Sequence, residues 1–275
     1  MAAVAGAQRR RWWLVGVVCG WIVVIVVVGS WSVWHSPATV PEQRDIAQAV
    51  PELQRAAGVV YAAADEGERV VVLGQLELIG DCRITPVRHG YIAARDLTVY
   101  VREGEAKAAL DAIVGALPAG YQATAGDARG GTRVGMHADA GNFIGIDTSA
   151  QATAKVLTLR LTSGCRPGPA AADESTELLA GPAPAELATV LKGLEASGAS
   201  PAAQTVACPD GGVAASYSVD IPPPADLAAR MRTLSAGATL VRSDAAAWAY
   251  RKGSGSVVVV PDGERLRVSL STACQ

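Results

Sequence analysis

The chain has 275 residues, of which 50% are hydrophobic, 18% charged and 5% aromatic. So high a hydrophobic content excludes an intrinsically disordered polymer. A formal net charge of −2 excludes a protein that binds nucleic acid through a strongly basic surface. The length allows one or two domains. Ala (52 residues) and Arg (20 of the 24 cationic residues) are abundant, which is typical of GC-rich bacterial genomes.

An uncharged run of 23 residues, 12–34, lies close to the N-terminus. A hydrocarbon core of about 30 Å needs about 20 apolar residues in a helix, so the run predicts a transmembrane helix that contacts the lipid bilayer. Trp12 and Trp13 at one end, and Trp31 and Trp34 at the other, are typical of membrane interfaces. The alternative is a cleaved signal peptide, but the run is longer than the usual apolar region of about 7–15 residues.

The charges beside this run predict its orientation. Arg residues occupy positions 9–11, and the next cationic residue is Arg44. The positive-inside rule therefore predicts a cytoplasmic tail over residues 1–11 and an extracytoplasmic location for residues 35–275, of which 35–45 form a juxtamembrane segment.

Four of the five cysteines, Cys82, Cys165, Cys208 and Cys274, fall in the part expected to be extracytoplasmic, where disulfides persist. No C-x-x-C occurs, so zinc ribbons and thioredoxin-like chemistry have no support. Four cysteines allow three pairings. We predict Cys82–Cys165 and Cys208–Cys274, because each pair then brackets one of two similar halves. Cys19 lies inside the apolar run and is interpreted as a free, membrane-buried thiol.

The two halves repeat an order of elements. Residues 157–163 end at Cys165 and residues 266–272 end near Cys274, and both stretches alternate apolar and polar side chains as strands do. In each half the predicted order is helix, strand, cysteine, strand, helix, two to four strands and cysteine. The alternative is two unrelated α+β elements that share common turn chemistry.

Helical periodicity and helix stop signals predict four further helices, the first of which Pro51 should bend or split. These are 46–60, 106–117, 187–194 and 227–234. Alternation predicts further strands over 69–78, 97–101, 203–207, 215–221 and 257–260, with a hairpin turn at 261–264.

These patterns predict an α+β fold: a single N-terminal transmembrane helix followed by two similar disulfide-stapled α+β modules with mainly antiparallel sheets. The first module covers residues 46–165 and the second covers 185–275. Residues 166–184 are rich in Pro and Ala and predict a linker between the modules.

The search for catalytic motifs is negative, and we expect no catalytic, cofactor-binding or metal-binding residue. G-x-S-x-G, H-E-x-x-H and Walker A patterns are all missing from the sequence. His137, Asp139 and Asp147 are close in sequence, near Asn142, and the first two could offer a metal two ligands. The favoured alternative is that they are solvated residues around a turn, where Asp, Gly and Asn are common.

Function is expected to be binding. The chain is interpreted as a single-pass membrane-anchored protein of the bacterial cell envelope, with a non-catalytic ectodomain that binds an envelope protein or glycan and no nucleic acid. Trp248 and Tyr250 alternate on one strand and either face a ligand or, more commonly, fill the core. The alternative function is an envelope hydrolase whose acidic residues converge only in the fold. Two close carboxylates in a pocket would favour the hydrolase, and a groove without them would favour the binder.

Overall fold

A computed structural model describes residues 2–35, 44–168, 180–196 and 198–274. The chain divides into two compact units, Met1–Gln43 and Arg44–Gln275. The first unit contains helix α1 (Ala2–His35). Its segment Trp12–Ser32, with a mean hydropathy of 2.5, is long and apolar enough to cross a membrane. The free Cys19 lies in this segment.

The second unit contains two halves with the same order of elements. The first half consists of α2 (Ile46–Ala64), β1 (Val70–Thr85), β2 (Arg88–Tyr100), α3 (Ala106–Ala116), β3 (Thr124–Ala128), β4 (Arg133–Asp139), β5 (Gly145–Gln151) and β6 (Val156–Thr162). The second half consists of α4 (Ala185–Gly193), β7 (Ala202–Ala207), β8 (Val213–Ile221), α5 (Leu227–Leu234), β9 (Thr239–Asp244), β10 (Ala247–Lys252), β11 (Gly255–Asp262) and β12 (Arg265–Thr272).

Each half builds one six-stranded antiparallel sheet, and the two sheets have the same strand order. The orders are β1-β2-β6-β5-β4-β3 and β7-β8-β12-β11-β10-β9. Each half is therefore a helix, two strands, a helix and four strands. The predicted α+β class with two similar antiparallel modules is confirmed.

Both predicted disulfides are present. Cys82 pairs with Cys165 and Cys208 pairs with Cys274, with Cα–Cα distances of 5.8 and 5.6 Å. Cys82 lies in the edge strand β1, and Cys208 directly follows the edge strand β7. Each bonds to a cysteine that lies just after the last strand of its half, β6 or β12. The strand between them, β2 or β8, is thus bracketed by a covalent link.

Several elements differ in extent from the prediction. Helix α2 continues through Pro51, which lies in its second turn and costs only one backbone hydrogen bond. The first hairpin is longer than expected, since β1 runs through Cys82 to Thr85. Residues 169–179 of the predicted linker, and 36–43 of the juxtamembrane segment, lie outside the described residues. Arg166, at the start of that linker, is buried and pairs with Tyr91 of β2.

Helices pack on one face of each sheet, and strand β1 of the first sheet crosses the other face of the second sheet. Helices α2 and α3 form one core with the first sheet, and α4 and α5 form another with the second. A third cluster joins the sheets, with Val70 and Tyr100 packed near Val241, Ala249 and Val258. Strand β1 lies across β7, β8, β12, β11 and β10. The halves are therefore parts of one compact unit.

A buried ion pair also links the halves. Arg251 on β10 donates from Nη1 to Asp65 Oδ1 at 2.9 Å and to the Asp65 carbonyl at 2.7 Å, just after α2. Burial raises the pKa of Asp65 more than the neighbouring Arg251 lowers it. Nearby, Gly58 lets α2 approach β7 closely, because a Cβ there would lie 1.8 Å from the Ala207 carbonyl oxygen.

Arg95 on β2 forms a second polar link between the halves. Its side chain is fully buried. Nε donates to the Gly74 carbonyl at 2.9 Å, where a register shift in β1 leaves that carbonyl available. Nη1 donates to the Thr205 carbonyl of β7 at 3.1 Å and to Gln54 of α2. Such a fully desolvated guanidinium is stable only because several acceptors satisfy it.

Candidate binding site

Strand β10 presents different side chains to its two sides. Successive strand residues point to opposite faces. Ala249 and Arg251 face the first half, where they join the inter-sheet cluster and the ion pair with Asp65. Trp248 and Tyr250 belong to the core between the second sheet and its helices. The helix side of β10 therefore carries two aromatic residues.

Helix α5 is packed less tightly on its sheet than its counterpart α3. In α5 only Met231 is fully buried. Helix α3 buries four side chains and contacts both β3 and β4. These are Ala106, Ala109, Leu110 and Ile113. Since burial of apolar side chains is what holds a helix on a sheet, α5 leaves space between itself and the strands.

The neighbouring helix α4 holds α5 in place. Gly193 at the end of α4 allows this approach, since a Cβ there would lie 2.7 Å from Leu234 Cδ2. Arg230 donates from Nη1 to the Gly193 carbonyl at 3.0 Å and pairs with Glu195 at 2.7 Å. The two helices thus form a pair that sits on the second sheet with open space on both sides of α5.

A cleft of about 760 Å³ lies between α5 and strands β9–β11. We call it the α5 cleft. Its walls are mainly apolar, and Leu240 at its edge is 39% exposed. The larger apolar lining residues are Leu227, Leu240, Trp248, Val259 and Pro261. An exposed apolar concavity of this kind is typical of an interaction site.

The charged residues of the α5 cleft are Arg232 and Asp244. Asp244 is already engaged, because its carboxylate accepts from Arg242 Nε at 2.9 Å and from the backbone N–H of Ala246 and Ala247 at 2.9 and 3.0 Å. The bond from Arg242, followed by these backbone bonds, lowers the pKa of Asp244. Asp244 is therefore a fixed anion and not a general acid.

A second cavity of about 390 Å³ lies on the other side of α5, between α4, α5 and strands β10–β12. We call it the Tyr250 pocket. Tyr250 itself is 1% exposed, as expected for a core residue. Trp248 is half-buried and lines the α5 cleft. The two aromatic residues singled out in the sequence thus belong to two different cavities.

The sequence candidates near the β4–β5 turn lie elsewhere. His137 Nδ1 and Asp147 Oδ1 are 2.8 Å apart on neighbouring strands, and both side chains are about two-thirds exposed. Asp139 accepts the Gly141 N–H at 2.8 Å within the turn, and Asn142 follows in a left-handed conformation. Across the described ranges, three or more potential ligands never gather as a metal site would require. Asp139 and Asn142 thus belong to the turn region, whereas His137 and Asp147 face each other across β4 and β5.

Sequence reasoning missed both cavities, although one signal was present. The predicted helix 227–234 offered three large apolar residues, whereas 106–117 offered six apolar positions. A helix with so narrow an apolar stripe covers little of the sheet below it.

No known protein family, curated protein or solved structure matches this chain.

Proposed function

We propose that this chain is a single-pass membrane-anchored protein whose residues 44–275 form an extracytoplasmic binding unit. Its binding surface is the α5 cleft, and its partner is an apolar segment of a cell-envelope protein. The observation that carries the proposal is the apolar α5 cleft, which α5 leaves open over β9–β11.

Three features support the membrane anchor and its orientation. Segment Trp12–Ser32 has the length and hydropathy of a membrane-spanning helix. Arg residues at positions 9–11 favour a cytoplasmic N-terminus. Two disulfides are typical of proteins in oxidising compartments, which supports an extracytoplasmic location for residues 44–275.

The character of the α5 cleft favours binding over hydrolysis. An envelope hydrolase that uses acidic residues needs carboxyl groups whose pKa values are tuned within the cleft. The carboxylate that lines the α5 cleft, Asp244, is held by Arg242. The described carboxyl group with a raised pKa, Asp65, is ion-paired between the halves and does not line this cleft.

A protein segment suits the cleft better than a glycan does. A glycan carries many hydroxyl groups that need hydrogen-bond partners, and two polar lining residues, Ser235 and Asp244, already bond within the chain. An apolar side chain placed in the cleft removes apolar surface from water on both partners. Arg232 at the rim adds a contact for a carbonyl or carboxylate of the partner.

Site-specific photo-cross-linking in cells tests the partner. A photoreactive residue replaces Leu240 in the cleft or, as a control, Val213, which is 42% exposed in the same half outside the cleft. We expect one discrete protein adduct from position 240. Ala228→Asp should abolish it by placing a charge in the cleft, whereas Ala229→Asp, exposed on the same helix, should not. An adduct insensitive to Ala228→Asp, an adduct with carbohydrate, or no adduct specific to position 240 would contradict the proposal.

Protease protection tests the topology separately. Protease added to intact spheroplasts should digest residues 44–275 and spare a short N-terminal fragment. A protected C-terminus would reverse the proposed orientation. A mature chain that begins after residue 34 would show a cleaved signal peptide in place of an anchor.

A further inference from the structure

Part of the wall of the Tyr250 pocket is aliphatic, and the hydroxyl of Tyr250 is one of the polar groups that line it. Val190 and Leu234 from the helices and Val257 and Leu270 from the sheet line it. Its volume of about 390 Å³ lies within the usual range for small-ligand sites, about 300–1,000 Å³. The pocket is therefore large enough for a compact small molecule with an apolar body.

The hydroxyl of Tyr250 has no hydrogen-bond partner within the described part of the chain. Two other buried tyrosines are bonded: Tyr61 donates to the Thr272 carbonyl at 2.7 Å and Tyr217 donates to the Gly181 carbonyl at 3.0 Å. Burial raises the pKa of Tyr250 to about 12, so this hydroxyl stays protonated. Among the described residues this hydroxyl is not one of the fully buried polar atoms that lack a partner, so it opens to the pocket and is available to a bound ligand.

Two opposite charges line the same pocket. Lys252 follows Tyr250 on the same face of β10, and Glu186 lies in the first turn of α4. Within the described residues neither forms an ion pair. The hydroxyls of Thr189 and Thr233 also line the pocket, and each donates to a carbonyl of its own helix, at 3.1 and 3.2 Å. Towards the pocket these hydroxyls therefore offer acceptor lone pairs.

The hydrogen-bond acceptors and the cationic donor of the pocket thus lie on different elements. Acceptors (Glu186, Thr189 and Thr233) stand on the helices, and the cationic donor Lys252 stands at the end of β10. A ligand of one charge would be attracted by one side and repelled by the other. A zwitterion satisfies both sides, with its ammonium towards the helices and its carboxylate towards Lys252.

We propose that the Tyr250 pocket binds a free α-amino acid whose aromatic side chain carries one polar ring atom, as in tryptophan. The ring would lie between the aliphatic walls, and its N–H would donate to the Tyr250 hydroxyl oxygen. This site lies across α5 from the α5 cleft and does not depend on the proposed protein partner.

Calorimetric titration of the full chain in lipid nanodiscs tests the proposal with three matched probes. The probes are L-tryptophan, indole-3-propionate, which lacks the ammonium, and tryptamine, which lacks the carboxylate. We expect saturable binding of L-tryptophan, and binding about tenfold weaker for each of the other two, because each lacks one charge-assisted contact.

Variants assign the binding to this pocket. Tyr250→Phe should weaken L-tryptophan binding about tenfold, the usual effect of one lost hydrogen bond. Its melting temperature should not fall, because the hydroxyl has no partner in the free protein. Lys252→Gln should weaken L-tryptophan binding while leaving tryptamine binding unchanged. Lys192→Gln, an exposed change on α4 away from the pocket, should change neither.

Three results would overturn the proposal. They are no saturable L-tryptophan binding, equal affinity in Tyr250→Phe, or tighter binding of a single-charge probe than of L-tryptophan. Loss of this binding would leave the α5 cleft untouched, since Ala228→Asp and Tyr250→Phe act on different sides of α5.

Discussion

The two halves of residues 44–275 have the same strand order, yet their second helices pack differently. Helix α3 buries four side chains against β3 and β4, whereas α5 buries Met231 alone and is flanked by two cavities. Full burial of one large aliphatic side chain contributes about 1.5–3 kcal/mol, and α3 buries two of these, Leu110 and Ile113, besides two alanines. The comparison shows that strand order does not determine how tightly a helix covers a sheet.

The hairpins that open each half differ as well. Strand β1 has 16 residues and lies across the second sheet, while its counterpart β7 has 6. The first half therefore supplies the long strand that joins the halves, and the second half contains the two cavities beside α5. Strand length and helix packing thus differ between two copies of one topology.

The largest effect is expected from the disulfides, which should matter equally in the two halves. Replacing both members of a pair by Ala opens a loop of 83 residues (Cys82–Cys165) or 66 residues (Cys208–Cys274). Loop-closure entropy predicts a loss of about 4 kcal/mol in the free energy of unfolding for each pair. Urea unfolding of the full chain, followed by circular dichroism, should show one transition in every variant. Separate transitions for the two halves would contradict the single compact unit.

Breaking the ion pair between the halves should have the next largest effect. Arg251→Met leaves the Asp65 carboxylate buried without its cation, and the expected loss is about 3 kcal/mol. Adding Asp65→Asn should restore much of this stability. Arg267→Met, which removes a half-exposed partner of Asp220, should cost less than about 1 kcal/mol. An Arg251→Met loss no larger than that of Arg267→Met would show that the halves are not joined at this point.

The same pair has a signature in the pH dependence of stability. The folded pKa of Asp65 lies above its ordinary value of 3.8, so the folded protein binds this proton more tightly than the unfolded chain does. As pH rises from below 3.8 through the raised folded pKa, the wild type should therefore lose stability relative to Asp65→Asn. A stability difference that grows in the opposite direction would contradict the dominance of burial over pairing.

Matched truncations of α3 and α5 sharpen the comparison of the helices. Ile113→Ala removes a fully buried side chain and should cost about 2 kcal/mol or more. Leu227→Ala removes a half-buried side chain at the edge of the α5 cleft and should cost about 1 kcal/mol or less. Thermal melts of both variants check this order. Equal losses would mean that α5 is held as firmly as α3.

The smallest expected effect is a difference in stability among Tyr→Phe variants of three buried tyrosines. Tyr217→Phe removes a hydrogen bond to the Gly181 carbonyl and should cost about 1 kcal/mol. Tyr61→Phe should cost about the same, because its bond to the Thr272 carbonyl is also lost. Tyr250→Phe removes a hydroxyl without a partner, so stability should be unchanged or higher. A loss in Tyr250→Phe similar to that in Tyr217→Phe would reveal a partner for its hydroxyl.

The sequence predicted the elements with strong periodicity and missed those without it. Both disulfides, four helices in the second unit and the strands that end near Cys165 and Cys274 followed from spacing and alternation. Strand β3, with the sequence TAGDA and no buried side chain, carried no such signal. Strand β10 was noticed only through Trp248 and Tyr250, because Ala at its other buried positions resembles a helix as much as a strand.

The cavities could not be predicted in the same way. A cavity depends on what a helix fails to cover, and this depends on the distance between α5 and β9–β11. The link between the halves was also invisible, because Asp65 and Arg251 are 186 residues apart in the chain. Charged residues that pair across such a separation look like any solvated charges in a sequence.

Amide hydrogen exchange of the full chain, resolved by residue, tests the difference between the halves most directly. The observable is the protection of α5 amides relative to those of α3. Because few buried contacts hold α5 on its sheet, its amides should exchange much faster than those of α3 at the same pH. Faster exchange in α5 than in α3 is the result expected from a helix flanked by open cavities. Equal or greater protection of α5 would contradict the claim that α5 is held less tightly on its sheet than α3.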